Sequence, residues 1–141
     1  MFVIVDRELK DIVLSTLKAN KLFNDESGMW GLHTGSTKDG TRNNYIDNVV
    51  IQCIEVKNKI KEQIDTIDSE KYLVVNYDDF CNEPKACLDA IGSLIYKHST
   101  ISSSYDFNHN SIFSSTKYPG DIQLHKDVEA SIKRNKSLIR Y

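Results

Sequence analysis

The sequence predicts an α/β fold in which a parallel sheet is flanked by helices. Two short apolar runs, Phe2–Val5 and Tyr72–Asn76, have the continuous β-branched and aromatic character of strands that are buried on both faces. A segment with helical periodicity follows each run, and a long helix separates the two. Strands that alternate with helices are typical of parallel sheets, because the helix returns the chain to the starting edge.

The helix after the first strand is predicted by apolar side chains at three- and four-residue steps. Glu8 and Asp11 lie near its start, where negative charge suits the positive end of the helix dipole. Residues 20–44 lose this periodicity and are rich in Gly, Ser and Asn, which predicts a long irregular segment. A second and longer helix is predicted from about Tyr45 to Ile67.

Two further helices are expected in the last part of the chain. Asn82-Glu83-Pro84 is a helix start signal, because Asn can cap and Pro fits the first helical position. Residues 99–120 are Ser- and Asn-rich and are predicted to be mostly loop, before a more polar helix from Ile122 to Ile139.

The 141 residues have the length of one domain but show only part of a sheet. Two strands are too few for a stable parallel sheet. We therefore expect residues 1–141 to form a single partial domain that lacks its amino-terminal strands. Within it, residues 1–98 are the α/β core, and residues 99–141 are the Ser- and Asn-rich loop with the C-terminal helix.

Composition argues against several classes of function. The net charge is −2, whereas sequence-independent nucleic-acid binding requires a visibly basic domain, so no nucleic-acid partner is expected. No apolar run approaches the roughly 20 residues that span a bilayer, so no membrane segment is expected. The four histidines and three cysteines lack metal-ligand spacing, which predicts no metal site and a reducing, cytoplasmic location.

Candidate binding residues follow the first predicted strand. Arg7 ends that strand, and Ser15 lies eight residues later in the next helix. A guanidinium can fork onto two phosphate oxygens, and a hydroxyl two turns along the helix can donate to a third. This segment is similar to the 3′-phosphate-binding strand–helix motif of sulfotransferases that use 3′-phosphoadenosine-5′-phosphosulfate (PAPS).

A second segment resembles the same family. Tyr72–Phe80, followed by Asn82-Glu83-Pro84, is similar to the family's strand that ends in Tyr-Glu-Asp-Leu before a Pro-started helix. The family's Tyr lies beside the nucleotide, which implies the same place for Tyr77, and the acids after it are expected to cap the turn. Trp30-Gly31 stands where many members have a Trp-Gly loop, so the resemblance covers roughly residues 2–97.

The resemblance implies a P-loop-like sheet and PAPS as the cofactor, held by Arg7, Ser15 and Tyr77. The implied reaction transfers a sulfuryl group to a hydroxyl or amine of a carbohydrate, lipid, small molecule or protein. The family's phosphosulfate loop and catalytic base have no counterpart in these 141 residues, so the catalytic residues stay unknown and the chain alone is expected to be inactive.

Two departures from the family and one alternative stay open. The family's Arg-Asp-Pro-Arg stands here as Arg7-Glu8-Leu9-Lys10, and its late basic Gly-containing loop has no clear counterpart. The alternative is a non-catalytic truncated fragment that binds nucleotide weakly, self-associates, or assembles with a missing amino-terminal half. A kinase-like fold is less favoured, because no Gly-x-x-x-x-Gly-Lys-Ser/Thr loop is present.

Overall fold

A computed structural model describes residues 1–22, 42–98 and 121–140. Its helices and strands, in chain order, are β1 Phe2–Asp6, α1 Leu9–Leu22, α2 Arg42–Ile64, β2 Tyr72–Asn76, α3 Tyr77–Asn82, α4 Pro84–His98 and α5 Ile122–Arg134. The described residues form two compact units. Residues 1–7 and 64–98 belong to the first unit, and residues 8–22, 42–63 and 121–140 belong to the second.

The first unit contains a two-stranded parallel sheet. β1 and β2 pair in register, from Phe2 opposite Tyr72 to Asp6 opposite Asn76. Helices α3 and α4 pack against β2. Among the described residues of this unit, the buried apolar side chains are Val75 of β2 and Cys81 of α3.

Both strands were predicted correctly, but the predicted P-loop-like α/β fold is wrong. The structure is mostly helical, at 77%, and its described residues contain one sheet of two strands. The expected burial of β1 on both faces is also wrong, because Phe2 is 54% exposed and Val5 is 60% exposed. These two side chains point to opposite faces of the sheet. A continuous apolar run thus marked a strand without determining how many layers cover it.

The second unit is helical and holds the larger core. Its apolar side chains come from α1, α2 and α5 at the three- and four-residue spacing that predicted α1 and α2. The buried cluster consists of Val13, Leu14, Leu17, Ile46, Val49, Val50, Cys53, Ile54 and Val128. Polar contacts reinforce it: Asp47 of α2 accepts hydrogen bonds from the Ser131 hydroxyl and from Arg134 Nη2, and Lys10 of α1 pairs with Glu129 of α5.

The last predicted helix is shorter than the sequence indicates. α5 begins at Ile122 as predicted, where the Asp121 side chain accepts from the Gln123 amide, but it ends at Arg134. A short 3₁₀ turn, Lys136–Leu138, follows. Asn58 of α2 then donates to the Leu138 carbonyl and accepts from the Arg140 amide, at 2.8 and 3.1 Å. These two bonds hold the chain in a conformation that a continued helix does not allow.

The described ranges 1–22, 42–98 and 121–140 contain the α-helices α1 to α5. None of them is long and apolar enough to cross a bilayer. Their exposed faces carry ion pairs such as Lys59 with Glu62 and Lys85 with Asp89. These pairs follow the helical repeat of three and four residues, and such exposed pairs add little to stability because solvent screens them.

The core of the second unit predicts a contrast between two isoleucines of α2. Ile54 is 1% exposed and Ile60 is 39% exposed. Ile54→Ala is expected to lower the free energy of unfolding by about 2–5 kcal/mol, because it leaves a cavity in a packed core. Ile60→Ala, the matched control, is expected to change it by at most about 1 kcal/mol. Chemical denaturation of both variants checks this, and equal losses would contradict the described core.

Candidate functional site

Arg7 and Tyr77 meet at the carboxyl ends of the two parallel strands. Asp6 and Asn76 are the last paired residues, so the next residue of each chain segment lies at the same edge of the sheet. The guanidinium carbon of Arg7 lies over the Tyr77 ring, 4.4 Å from its centroid. This distance is within the range of a cation–π interaction. Two of the three binding residues predicted from the sequence are therefore neighbours.

The side chain of Asn76 places Tyr77 at this edge. Its Oδ1 accepts hydrogen bonds from the backbone amides of Asp78 and Asp79, at 2.8 and 3.3 Å. Asn76 is thus the N-cap of α3, and Tyr77 is the first residue of that helix. The expectation that Asp78 and Asp79 cap this turn is wrong, because their amides donate to the cap instead.

Cys81 contacts the same tyrosine from within α3. The two residues are four positions apart, which places them on one side of a helix. A side-chain hydrogen bond to the Cys81 thiol is the main reason that the pKa of Tyr77 lies above its ordinary value, and burial adds to it. The nearby Arg7 lowers the pKa of Tyr77, but this effect is smaller. At neutral pH the phenol is protonated, as an unperturbed tyrosine also is.

The charges around this edge are mixed. Asp6 and Glu8 flank Arg7 in the sequence, and Asp78 and Asp79 follow Tyr77. Carboxylates close to a guanidinium compete with an anionic ligand for it. Asn76 occupies the amides of Asp78 and Asp79, so these two amides of α3 are not free for an anion. The arrangement suits an anion that can accept the two-pronged geometry of Arg7.

The third predicted binding residue, Ser15, lies in the second unit. It is on the exposed side of α1, between buried residues that face the core. That Ser15 shares a phosphate with Arg7 stays a prediction from the spacing in the sequence. Trp30-Gly31, which supported the resemblance, lies outside the described residues.

The described cysteines do not form a metal or disulfide site. Cys53, Cys81 and Cys87 are free thiols. In the ranges 1–22, 42–98 and 121–140, no three His, Cys, Asp or Glu side chains are grouped so as to hold a metal ion. Cys53 lies in the helical core, where burial raises the pKa of its thiol and keeps it unreactive.

Asn76 and Cys81 are the residues of this edge that sequence reasoning missed. Asn before a helical turn is a known capping signal, yet Tyr77–Phe80 was expected to end a strand rather than begin a helix. No motif in the sequence marks Cys81 as a neighbour of Tyr77. Comparisons with protein-family models, with curated protein sequences and with solved structures find no match.

The Tyr77–Cys81 contact predicts an alkaline titration. Because the pKa of Tyr77 is raised in the folded state, the contact with Cys81 stabilises the fold fully below the unfolded pKa of about 10. This stabilisation is lost as the pH rises through the folded-state pKa. Cys81→Ala is expected to move the pKa of Tyr77 down toward its ordinary value. Ultraviolet titration of each protein against its Tyr77→Phe partner isolates this group. Cys87→Ala is the control, and an unchanged titration in Cys81→Ala would contradict the contact.

Proposed function

We propose that this chain binds the 3′-phosphate of PAPS through Arg7, as the cofactor-anchoring part of a sulfotransferase. The observation that carries the proposal is the Arg7 guanidinium over the Tyr77 ring at the carboxyl ends of adjacent parallel strands. Ligands of parallel sheets bind at these ends. The resemblance of residues 2–15 and 72–84 to the two nucleotide-binding segments of that family supplies the identity of the ligand.

The ring stack favours phosphate binding by Arg7 for two reasons. A guanidinium held against a ring has already lost part of its side-chain freedom, so less conformational entropy is lost when it binds. A tyrosine phenol is uncharged at neutral pH, and the raised pKa of Tyr77 does not change this, so the ring adds no negative charge beside the phosphate. Tyr77 thus restricts the motion of the Arg7 side chain and does not repel an anionic ligand.

The proposed reaction is a direct in-line displacement. The acceptor oxygen or nitrogen forms a bond to sulfur while the bond from sulfur to the 5′-phosphate oxygen breaks. A base takes the acceptor proton, and 3′-phosphoadenosine-5′-phosphate (PAP) leaves. Arg7 acts on the 3′-phosphate, remote from the reacting atoms, and contributes by positioning the cofactor. The base and the groups that stabilise the leaving phosphate are not assigned to residues of this chain.

Nucleotide binding without catalysis is the second candidate. The acidic residues that flank Arg7 and Tyr77 favour it, because they weaken the attraction of a single guanidinium for phosphate. An assay of the purified chain with PAPS and a phenolic or carbohydrate acceptor separates the two candidates. Formation of PAP together with sulfated acceptor would eliminate the non-catalytic candidate, and binding without turnover would support it.

The proposal predicts a ligand-specific effect of Arg7. Arg7→Ala is expected to weaken PAP binding by about 1.5–3 kcal/mol, the scale of a charge-assisted hydrogen bond. Arg7→Lys is expected to recover only part of the loss, because it keeps the charge without the fork. Calorimetry with PAP and with adenosine 5′-phosphate measures this, and the loss should disappear with the ligand that lacks the 3′-phosphate.

Arg140 provides the matched control for that experiment. It is an exposed arginine of the second unit that pairs with Glu62, so Arg140→Ala should leave PAP affinity unchanged. Equal PAP affinity of the wild type and Arg7→Ala would refute the proposed function.

Ser15 gives a separate prediction. If its hydroxyl donates to the 3′-phosphate, Ser15→Ala should weaken PAP binding by about 0.5–1.5 kcal/mol, as expected for one hydrogen bond. The same substitution should not change affinity for adenosine 5′-phosphate. Calorimetry on Ser15→Ala and on Thr16→Val, which removes a neighbouring hydroxyl that donates to the Ile12 carbonyl, compares a ligand contact with a structural one. Unchanged PAP affinity in Ser15→Ala would remove Ser15 from the site.

A further inference from the structure

Asn76 lies where β2 passes into α3. Its backbone is extended, with φ −71° and ψ 134°, and it pairs with Asp6 as the last residue of the strand. The same residue caps the helix, since Oδ1 accepts from two consecutive amides at 2.8 and 3.3 Å. The chain therefore changes from strand to helix at one residue, and Tyr77 follows without an intervening loop.

Helix α3 depends on this cap. It has six residues, Tyr77–Asn82, and a helix this short is unstable without capping and packing. Cys81, which is 6% exposed, packs one end of the helix, and Asn76 holds the other. Loss of the cap would release the first turn, which contains Tyr77, and with it the ring on which Arg7 lies.

For anion binding at Arg7, the absence of charge on Asn76 is as important as the hydrogen bonds that Asn76 accepts. Asn, Asp and Ser cap helices about equally well, so capping alone does not require Asn. An Asp would even suit the positive end of the helix dipole. Asp6, Asp78 and Asp79 already lie near this edge in the sequence, and a further carboxylate would compete with phosphate for Arg7.

We propose that Asn76 is the positioning residue of the anion site. It holds Tyr77 under Arg7 through a neutral cap, and it thereby sets the orientation of the guanidinium without reducing its attraction for an anion. This assignment rests on the phosphate binding proposed for Arg7, and it names the residue that prepares that group for its ligand.

The test compares Asn76→Ala, Asn76→Ser and Asn76→Asp by two measurements on the full chain. The first needs no ligand: the ring-current shift of the Arg7 side-chain protons in NMR spectra, with Tyr77→Leu as the zero reference. The second is calorimetric titration with PAP at low and at high salt. Far-ultraviolet circular dichroism verifies that each variant is folded.

Each variant has a distinct expected result. Asn76→Ala should lose the ring-current shift and bind PAP about fivefold to tenfold more weakly, the effect of a lost cap. Asn76→Ser should keep the shift and bind PAP within about twofold of the wild type. Asn76→Asp should keep the shift but bind PAP more weakly, with a larger loss at low salt, because salt screens the added charge.

Two results would overturn the positioning role. One is a full ring-current shift in Asn76→Ala, which would show that the cap does not hold the pair. The other is wild-type PAP affinity of Asn76→Asp at low salt, which would show that the neutral cap has no effect on the anion. Failure of the wild type to bind PAP refutes the proposed function together with the anion role, whereas the shift in Asn76→Ala still decides whether Asn76 positions Tyr77 and Arg7.

Discussion

The in-register pairing of β1 with β2 is the constraint on which the candidate site depends. Because Asp6 lies opposite Asn76, the residues that follow them emerge at one edge of the sheet. A slip of one residue would shift the strand by about 3.3 Å and reverse the face of every side chain. Arg7 would then no longer lie over the Tyr77 ring. Strand register, rather than any single side chain, is therefore what brings two residues 70 positions apart into one site.

Besides the strand register, three local interactions determine the surroundings of the Tyr77 ring. The Asn76 cap begins α3 at Tyr77, the Cys81 side chain raises the pKa of the phenol, and Arg7 stacks on the ring face. Each contact is worth only about 0.5–1.5 kcal/mol, so the arrangement depends on all of them together. Neither the phenol of Tyr77 nor the amide of Asn76 carries a charge at neutral pH, so they add nothing to the acidic side chains that neighbour Arg7 and Tyr77 in the sequence.

The two units differ in how much apolar surface they bury. Among the described residues, the helical unit has a cluster of nine buried side chains, whereas the unit with the sheet buries Val75 and Cys81 and exposes much of β1. The candidate site thus belongs to the unit that buries fewer of its described apolar side chains. Regions with few buried contacts open more easily, and binding elements are commonly drawn from them. A ligand that contacts both strand ends would stabilise this unit by mass action.

The sequence by itself determined the two strands, the apolar faces of α1 and α2, and the start of α4 at Pro84, because periodicity and helix-start signals are local. It also placed Arg7 and Tyr77 at strand ends. Tertiary structure alone decided that β1 is exposed on both faces, that Tyr77 begins a helix, and that Arg7 stacks on it. These features depend on how many layers cover a strand and on contacts between distant residues. An apolar run carries no information about either, which is why the predicted P-loop-like sheet was wrong although its strands were right.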